Sequence, residues 1–193
     1  MHGLMNRAIE GFVRQGYGLA CWRAVAGRIG LAEGGFQPFR RYPMALTRQL
    51  TEAVAASLDK PEAELVEDVG AWLARVEGVR RLLRFSGSDF SDFVLSLEEF
   101  PGRLRMILPD MAAPEVAVAV HGPQAYRITL TGDDWLWRAL IAGLLRAMSD
   151  DYGALALIVD EGDSILVDVS DASFGDGRGF DLAAWAGVAG GWR

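Results

Sequence analysis

The chain of 193 residues is poor in the residues that most metal and cofactor sites use. It has one cysteine, Cys21, so no disulfide can form within the chain. With only two histidines, His2 and His121, a Cys/His zinc site has too few ligands. Lys60 is the only lysine, and 26 acidic residues outnumber 19 basic ones for a formal net charge of −7. Without a dense basic patch, the sequence argues against nucleic-acid binding. The single cysteine suits a reduced compartment, and we expect a cytoplasmic protein.

Long apolar runs and catalytic motifs are also missing. The longest apolar runs, residues 139–145 and 154–159, are far shorter than the roughly 20 residues that cross a bilayer. The N-terminus lacks the charged-then-apolar order of a signal peptide. No Gly-x-Gly-x-x-Gly or phosphate-binding loop occurs, and neither histidine lies in a hydrolase-like context. We therefore expect neither a membrane protein nor an enzyme. The 51% hydrophobic content is enough for one full core.

Hydrophobic periodicity divides the chain into two parts. Up to about residue 108, apolar residues recur at three-to-four spacing, which predicts successive helices, with Asp59 and Ser88 as caps of the helices that follow them. Beyond Pro109, residues 116–120 and 126–130 alternate and predict a hairpin, followed by a helix from about residue 133 and two more strands, 155–159 and 165–169.

The expected fold is α+β. A helical part, about residues 1–108, packs on an α+β part with an antiparallel sheet, about 109–172. Residues 173–193 form a glycine-rich tail that still carries Phe174, Phe180, Trp185 and Trp192, and the pattern leaves open whether this tail is mobile or docks.

Several residues invite a chemical role but have a simpler interpretation. The acid pairs Asp150-Asp151 and Glu98-Glu99 are adjacent on helices and point in different directions, so we interpret both as solvated faces. Cys21 lies among apolar helical residues and is predicted to be a buried, inert thiol. We assign most of the six tryptophans to core packing.

Four short blocks of sequence occur in a fixed order over roughly residues 1–170. They are residues 2–10 followed by Trp22, Tyr42-Pro43 followed by Leu46 and Leu50, Pro61 to Trp72 with Gly70, and Leu83 to Gly87 followed by Phe90 to Leu97. Their order resembles the heme nitric oxide/oxygen binding family, known as H-NOX or HNOB. The resemblance implies an H-NOX-like fold, which agrees with the helices-then-sheet pattern.

The resemblance fails at the residue that would hold heme iron. In the family, a histidine on the helix that follows the start of the fourth block ligates the iron. The corresponding run here is Leu97-Glu98-Glu99-Phe100-Pro101, which puts Pro101 at the ligand position. A proline cannot bind iron, and inside a helix it costs about 3 kcal/mol, so we expect the helix to kink there. The family's later proline, which presses on the heme, corresponds to Pro114.

The family's Tyr-x-Ser-x-Arg motif, which holds the heme propionates, is missing as well. Counting forward from Pro114, the three positions hold Leu130, Gly132 and Asp134. Counting back from the following helix, they hold Arg127, Thr129 and Thr131. Neither register restores the arginine that forms charge-assisted hydrogen bonds with a propionate. The resemblance thus implies a degenerate member, and we expect no cofactor.

The leading hypothesis is a non-enzymatic sensory or regulatory protein without heme bound in the family's manner. The resemblance implies a signalling partner in trans, a kinase or a cyclase. The equivalents of the heme pocket are Met5, Ile9, Leu73, Pro101, Leu104, Pro114, Leu136 and Leu140. This pocket is either filled by side chains or open to another apolar small ligand. An empty cavity costs about 24 cal/mol per Å³, which favours filling.

Two alternatives remain open. One is a heme- or tetrapyrrole-based sensor of NO or O₂ whose iron is held by His2, Cys21, Met106 or a tyrosine. The other is a structural interaction module in which the tail around Phe180 and Trp185 docks onto a partner or a second subunit.

Overall fold

The computed structural model describes residues 2–32, 34–132, 135–175, 177 and 179. The helices within these residues are α1 (Gly3–Gly16), α2 (Gly18–Arg28), α3 (Met44–Leu58), α4 (Glu62–Arg75), α5 (Glu77–Arg84), α6 (Phe90–Leu95), α7 (Phe100–Ile107) and α8 (Trp135–Tyr152). The strands are β1 (Val116–Gly122), β2 (Ala125–Leu130), β3 (Leu155–Asp160) and β4 (Ser164–Asp171). The predicted α+β fold is confirmed. The predicted start of α8 at residue 133 falls outside the described residues.

Two helix caps differ from the sequence prediction. Asp59 does not cap α4 but ends α3, where it adopts the left-handed conformation with a φ of 53° and its N–H bonds to the carbonyl of Ala55. The N-cap of α6 is Asp89 rather than Ser88. Asp89 has the extended backbone that an N-cap requires, and its carboxylate accepts the N–H of Asp92 at 2.9 Å. Ser88 donates its hydroxyl to the side chain of Asp92 instead.

The strands form an antiparallel sheet in the order β1-β2-β4-β3. Its inner face is built from alternate residues, and Ile128 lies beside Ile165 on the neighbouring strand, as Ile158 lies beside Val167. All four of these residues are buried. The two-residue periodicity that predicted the strands therefore also determines which side chains reach the core.

The core has two regions, which meet along α8. The sheet core lies under the strands and includes Phe90, Phe93, Val94, Tyr126, Ile128, Ile141, Leu145, Met148, Ile165 and Val167. The helical core lies among α1 to α4 and includes Met5, Ile9, Phe12, Trp22, Phe36, Leu50, Val54, Leu65, Val69, Met111, Leu136, Trp137 and Leu140. The first half of α8 thus faces the helical core, and most of its second half faces the sheet core.

Helix α8 crosses α4 with the two backbones in direct contact. A Cβ atom at Gly143 of α8 would lie 1.8 Å from the carbonyl oxygen of Glu67 on α4. A Cβ at Gly70 of α4 would lie 2.1 Å from the carbonyl oxygen of Leu140 on α8. Only glycine permits this approach, so the two glycines set the distance between the helices that join the two core regions.

The Asp150-Asp151 pair contradicts its solvated interpretation, whereas Glu98 and Glu99 are exposed as predicted. Asp151 is buried and its carboxylate accepts a hydrogen bond from Arg80 Nε at 2.6 Å, although Asp150 beside it is exposed. Glu98 accepts the backbone N–H of Val118 at 2.8 Å and so ties the turn before α7 to β1. Both acids have partners that are distant in sequence, which adjacent-residue geometry on a helix does not reveal.

Candidate functional site

Most of the predicted pocket residues gather at one place, the helical core. Met5 and Ile9 of α1 and Leu136 and Leu140 of α8 are buried members of this core. Leu73 of α4 and Leu104 of α7 are partly buried and pack against it. Pro101 is buried in the first turn of α7, and Pro114 is half-buried in the connection between α7 and β1. Their role as a pocket stays a prediction.

The helix that would carry the iron ligand is interrupted at Pro101. A 3-10 turn, Ser96–Glu99, separates α6 from α7, and α7 begins at Phe100. The carbonyl of Leu97 would pair with the N–H of residue 101 in a continuous α-helix, but it accepts the N–H of Phe100 instead. The helix is thus broken just before Pro101, where the sequence predicted a kink, because proline lacks the N–H that the carbonyl of Leu97 would accept.

The segment that corresponds to the propionate-binding motif does not offer an arginine to the helical core. Arg127 lies on β2 between Tyr126 and Ile128, whose side chains are buried in the sheet core, so its own side chain points to the outer face. There it donates hydrogen bonds to Glu161 at 2.9 Å and to Ser164 at 2.7 Å.

The remaining positions of the two registers are equally unlike the family motif. Thr129 is exposed, and the Thr131 hydroxyl accepts the N–H of Glu115 at 2.9 Å. Leu130 packs partly buried against both core regions. Gly132 has a φ of 79°, and Asp134 lies outside the described residues.

The alternative iron ligands have other surroundings. His2 is buried, but its Nδ1 accepts the N–H of Leu4 and caps α1. Met106 is 83% exposed and does not face the core. Cys21 is half-buried rather than buried as predicted, and it packs against the helical core from α2.

The tyrosines are also distributed away from a common site. Tyr17 is exposed, and Tyr126 belongs to the sheet core. The Tyr42 hydroxyl accepts the N–H of Gln37 at 2.9 Å, and the Tyr152 hydroxyl donates to the carbonyl of Gly87 at 2.9 Å. The described residues therefore do not fit a heme held by the family's ligand and propionate clamp.

Two clefts in the described part of the chain are lined by residues other than those of the predicted pocket. One, of about 450 Å³, is open at the surface and is lined by Arg28, Ile29, Gln49, Glu52, Ala53 and Ala56. Another, of about 320 Å³, is lined by Arg48, Glu52, Glu62, Ala63 and Trp135.

Across the described ranges, no three His, Cys, Asp or Glu side chains form a group that could hold a metal ion. Of the helices in these ranges, none has the length and apolar character that a membrane crossing requires.

Sequence reasoning missed the side chains that complete the helical core. Phe36, in the connection between α2 and α3, is 2% exposed, and Trp137 and Met111 are also buried there. The loop that carries Phe36 is held by Glu10, a fully buried carboxylate that accepts the N–H of Phe36 at 3.1 Å. Arg7 and Arg14 pair with the same carboxylate. The sequence signal for this contact was Glu10, an acidic residue on the otherwise apolar side of α1.

The architecture of a helical part on an antiparallel sheet is that of known heme-domain structures. An H-NOX protein from S. oneidensis in the Fe(II)NO ligation state superimposes with a TM-score of 0.76 at 13% identity, covering 89% of this chain and 100% of that one. The Fe(II) unliganded H-NOX protein from K. algicida gives 0.73 at 17% identity, covering 89% and 97%. At these identities the likeness establishes the fold alone.

Sequence comparison establishes the family. The model of the haem-NO-binding family matches residues 2–154, and the chain belongs to that family. Soluble guanylate cyclases 89Db and 89Da of Drosophila melanogaster are 22% identical over 157 residues and 24% identical over 160 residues. Each match covers 79% of this chain and 24% of the relative, so the chain spans about a quarter of the length of these cyclases.

Proposed function

We propose that this protein is a non-enzymatic sensory or regulatory protein that uses the haem-NO-binding scaffold without heme bound in the family's manner. The observation that carries the proposal is Pro101, which is buried in the first turn of α7. The resemblance to the family puts this proline at the position of the iron ligand. The side chain of proline has neither a lone pair for iron nor a donor for a propionate.

The packing of the helical core supports the filled form of the pocket. Four of the predicted pocket residues, Met5, Ile9, Leu136 and Leu140, are no more than 6% exposed. They belong to one contiguous group of buried side chains that includes Phe36 and Trp137. Buried side chains that pack on one another occupy the space that a cofactor would need. Opening a cavity for a ligand would cost the dispersion contacts among the side chains that line it.

We infer that the output of such a protein is a contact with a signalling partner, a kinase or a cyclase. The curated relatives are named as cyclases, and this chain matches about a quarter of their length, so the partner would act in trans or as a further domain. The single cysteine, Cys21, supports action in a reduced compartment such as the cytoplasm.

The experiment is a hemin titration followed by the absorption spectrum of the purified protein. We expect the parent to show no saturable, shifted Soret band. Pro101→His restores a histidine at the ligand position, and Pro109→His is the matched control because Pro109 is exposed. A filled core predicts that both variants behave like the parent.

Two results would change the proposal. A saturable Soret band in the parent overturns it in favour of a sensor with an unusual axial ligand, and loss of that band in Cys21→Ser or His2→Ala would identify the ligand. A band in Pro101→His but not in Pro109→His would support the absence of heme in the parent. The same result would contradict the filled pocket and would show that the pocket can still admit an apolar ligand.

A further inference from the structure

After β4 the chain crosses the C-terminal end of α8 as a glycine-rich strap. We use the term glycine strap for the described residues 172–175, 177 and 179. The N–H of Gly175 donates to the carbonyl of Gly153 at 3.0 Å, immediately after α8 ends at Tyr152. Gly153 has a φ of +75°, a left-handed conformation that favours glycine. The strap therefore has a defined place on the molecule.

The contact between strap and helix depends on particular glycines. A Cβ at Gly153 would lie 2.3 Å from the carbonyl oxygen of Gly175, and a Cβ at Gly177 would lie 2.9 Å from the carbonyl oxygen of Tyr152. A Cβ at Gly175 or at Gly179 would meet nothing within 4 Å. Side chains are thus excluded at two positions and tolerated at the other two, which provides a matched pair for experiment.

A buried arginine ties the end of the strap to α5. The side chain of Arg80 is 10% exposed, and its Nε donates to Asp151 at 2.6 Å. Its Nη2 donates to the carbonyl of Gly179 at 3.1 Å. A buried guanidinium must satisfy its donors, so this hydrogen bond holds the chain beside α5 at the point where residues 180–193 begin.

The surface of α5 next to this point carries large apolar side chains. Leu82 is 57% exposed and Phe85, directly after the helix, is 65% exposed. Phe85 follows Arg80 by five positions, which is about 7.5 Å along a helix axis. Leu82 and Phe85 are rotated by about 160° and 140° from Arg80 around the helix, so the chain must also pass around α5. Six extended residues beyond Gly179 would span about 20 Å, which is enough for this path.

The composition of residues 180–193 is unlike that of a solvated tail. It contains Phe180, Leu182, Trp185, Val188 and Trp192, against the two charged residues Asp181 and Arg193. Segments that remain in solvent have few aromatic residues and high charge. A contiguous group of this size left in water would be an association surface.

We propose that residues 180–193 dock on α5 of the same chain, over the surface formed by Leu82 and Phe85, with the glycine strap and Arg80 directing them there. The occupant is the chain's own C-terminal segment because the strap delivers it to this surface and leaves it within reach. A short linker gives a tethered segment a high effective concentration at its docking surface. A second copy of the chain would therefore have to displace the chain's own segment.

Hydrogen exchange measured by mass spectrometry tests this placement on the full chain. We expect the amides of residues 180–193 to exchange at least about tenfold more slowly than in a synthetic peptide of the same sequence. The double variant Leu82→Ser/Phe85→Ser is expected to lose this protection. Leu157→Ser, at a leucine that is 62% exposed on β3, is the control that should retain it. Unchanged exchange of α8 in each variant verifies that the fold is intact.

The glycine pair tests the strap separately. Gly177→Ala should reduce the protection of residues 180–193, whereas Gly175→Ala should leave it unchanged. Peptide-like exchange in the parent overturns the proposal, and so does protection that survives Leu82→Ser/Phe85→Ser. Protection that rises with protein concentration would also overturn it, because the segment would then dock on a second copy.

Discussion

The crossing of α4 and α8 gives the sharpest test of the packing that fills this scaffold. Gly143→Ala would add a Cβ that lies 1.8 Å from the carbonyl oxygen of Glu67. Carbon and oxygen atoms need well over 3 Å, so the two helices must separate by roughly 1.5 Å. Neither atom can avoid the clash by a rotamer change, because both belong to the backbone or are fixed to it.

The expected cost follows from this separation. Overpacking a rigid core typically costs 1–3 kcal/mol, and a backbone clash that moves whole helices lies at about the upper end, near 3 kcal/mol. The gain in helix propensity from glycine to alanine returns up to about 1 kcal/mol and does not reverse the sign. Gly70→Ala should cost a similar amount, since its Cβ would lie 2.1 Å from the carbonyl oxygen of Leu140. The double variant should cost less than the sum, because the first substitution already separates the helices.

Urea unfolding measures these free energies. With a slope of about 2 kcal/mol per molar, the net cost of about 2–3 kcal/mol for Gly143→Ala should lower the urea midpoint by about 1–1.5 M. Gly78→Ala is the matched control, since a Cβ at this position of α5 meets nothing, and it should raise the stability by up to about 1 kcal/mol. If the free energy of unfolding of Gly143→Ala differs from that of the parent by less than about 0.5 kcal/mol, the close approach of α4 and α8 is refuted.

Three further predictions concern buried charge and protonation. Glu10→Gln should lower the free energy of unfolding by about 2 kcal/mol and accelerate proteolysis within residues 34–42, because the buried carboxylate holds that loop. Arg80→Gln should cost about 3 kcal/mol by leaving a buried carboxylate without its main partner, whereas Arg75→Gln, in an exposed ion pair, should change the urea midpoint little. Burial raises the pKa of Tyr152 from 10.0 to about 12, so the unfolded chain ionises first and the associated stability is lost as the pH rises from about 10 to about 12. An ultraviolet titration in which Tyr152→Phe matches the parent would contradict this last prediction.

Several features of the candidate site were accessible from sequence because they depend on local spacing. The position of Pro101 after Leu97 predicted a distortion of the helix, which depends only on residues within one turn. The alternation of Tyr126, Ile128 and Leu130 also implies that Arg127 points to the opposite face of the sheet, as the structure has it. Period-two and period-3.6 patterns determine the face of a side chain without reference to the rest of the chain.

Other features depend on residues that are distant in sequence, and the sequence analysis was wrong or silent about them. Asp151 was expected on a solvated face, but Arg80, 71 positions earlier, makes its burial favourable. Glu10 lies on the apolar side of α1, and Phe36, 26 positions later, donates its backbone N–H to this buried carboxylate. A charge can be buried only when a partner is present, and the partner is known only after the chain has folded.

The sequence by itself determined the order of helices and strands and the family of the protein, and it predicts a proline at the family's iron-ligand position. These depend on periodicity, on short blocks in order and on the chemistry of a single proline. Only the tertiary structure decided that Gly70 and Gly143 meet across α4 and α8, and that Arg80 holds the strap at Gly179. Such contacts join residues tens of positions apart, and their geometry is set by how whole elements pack rather than by any local pattern.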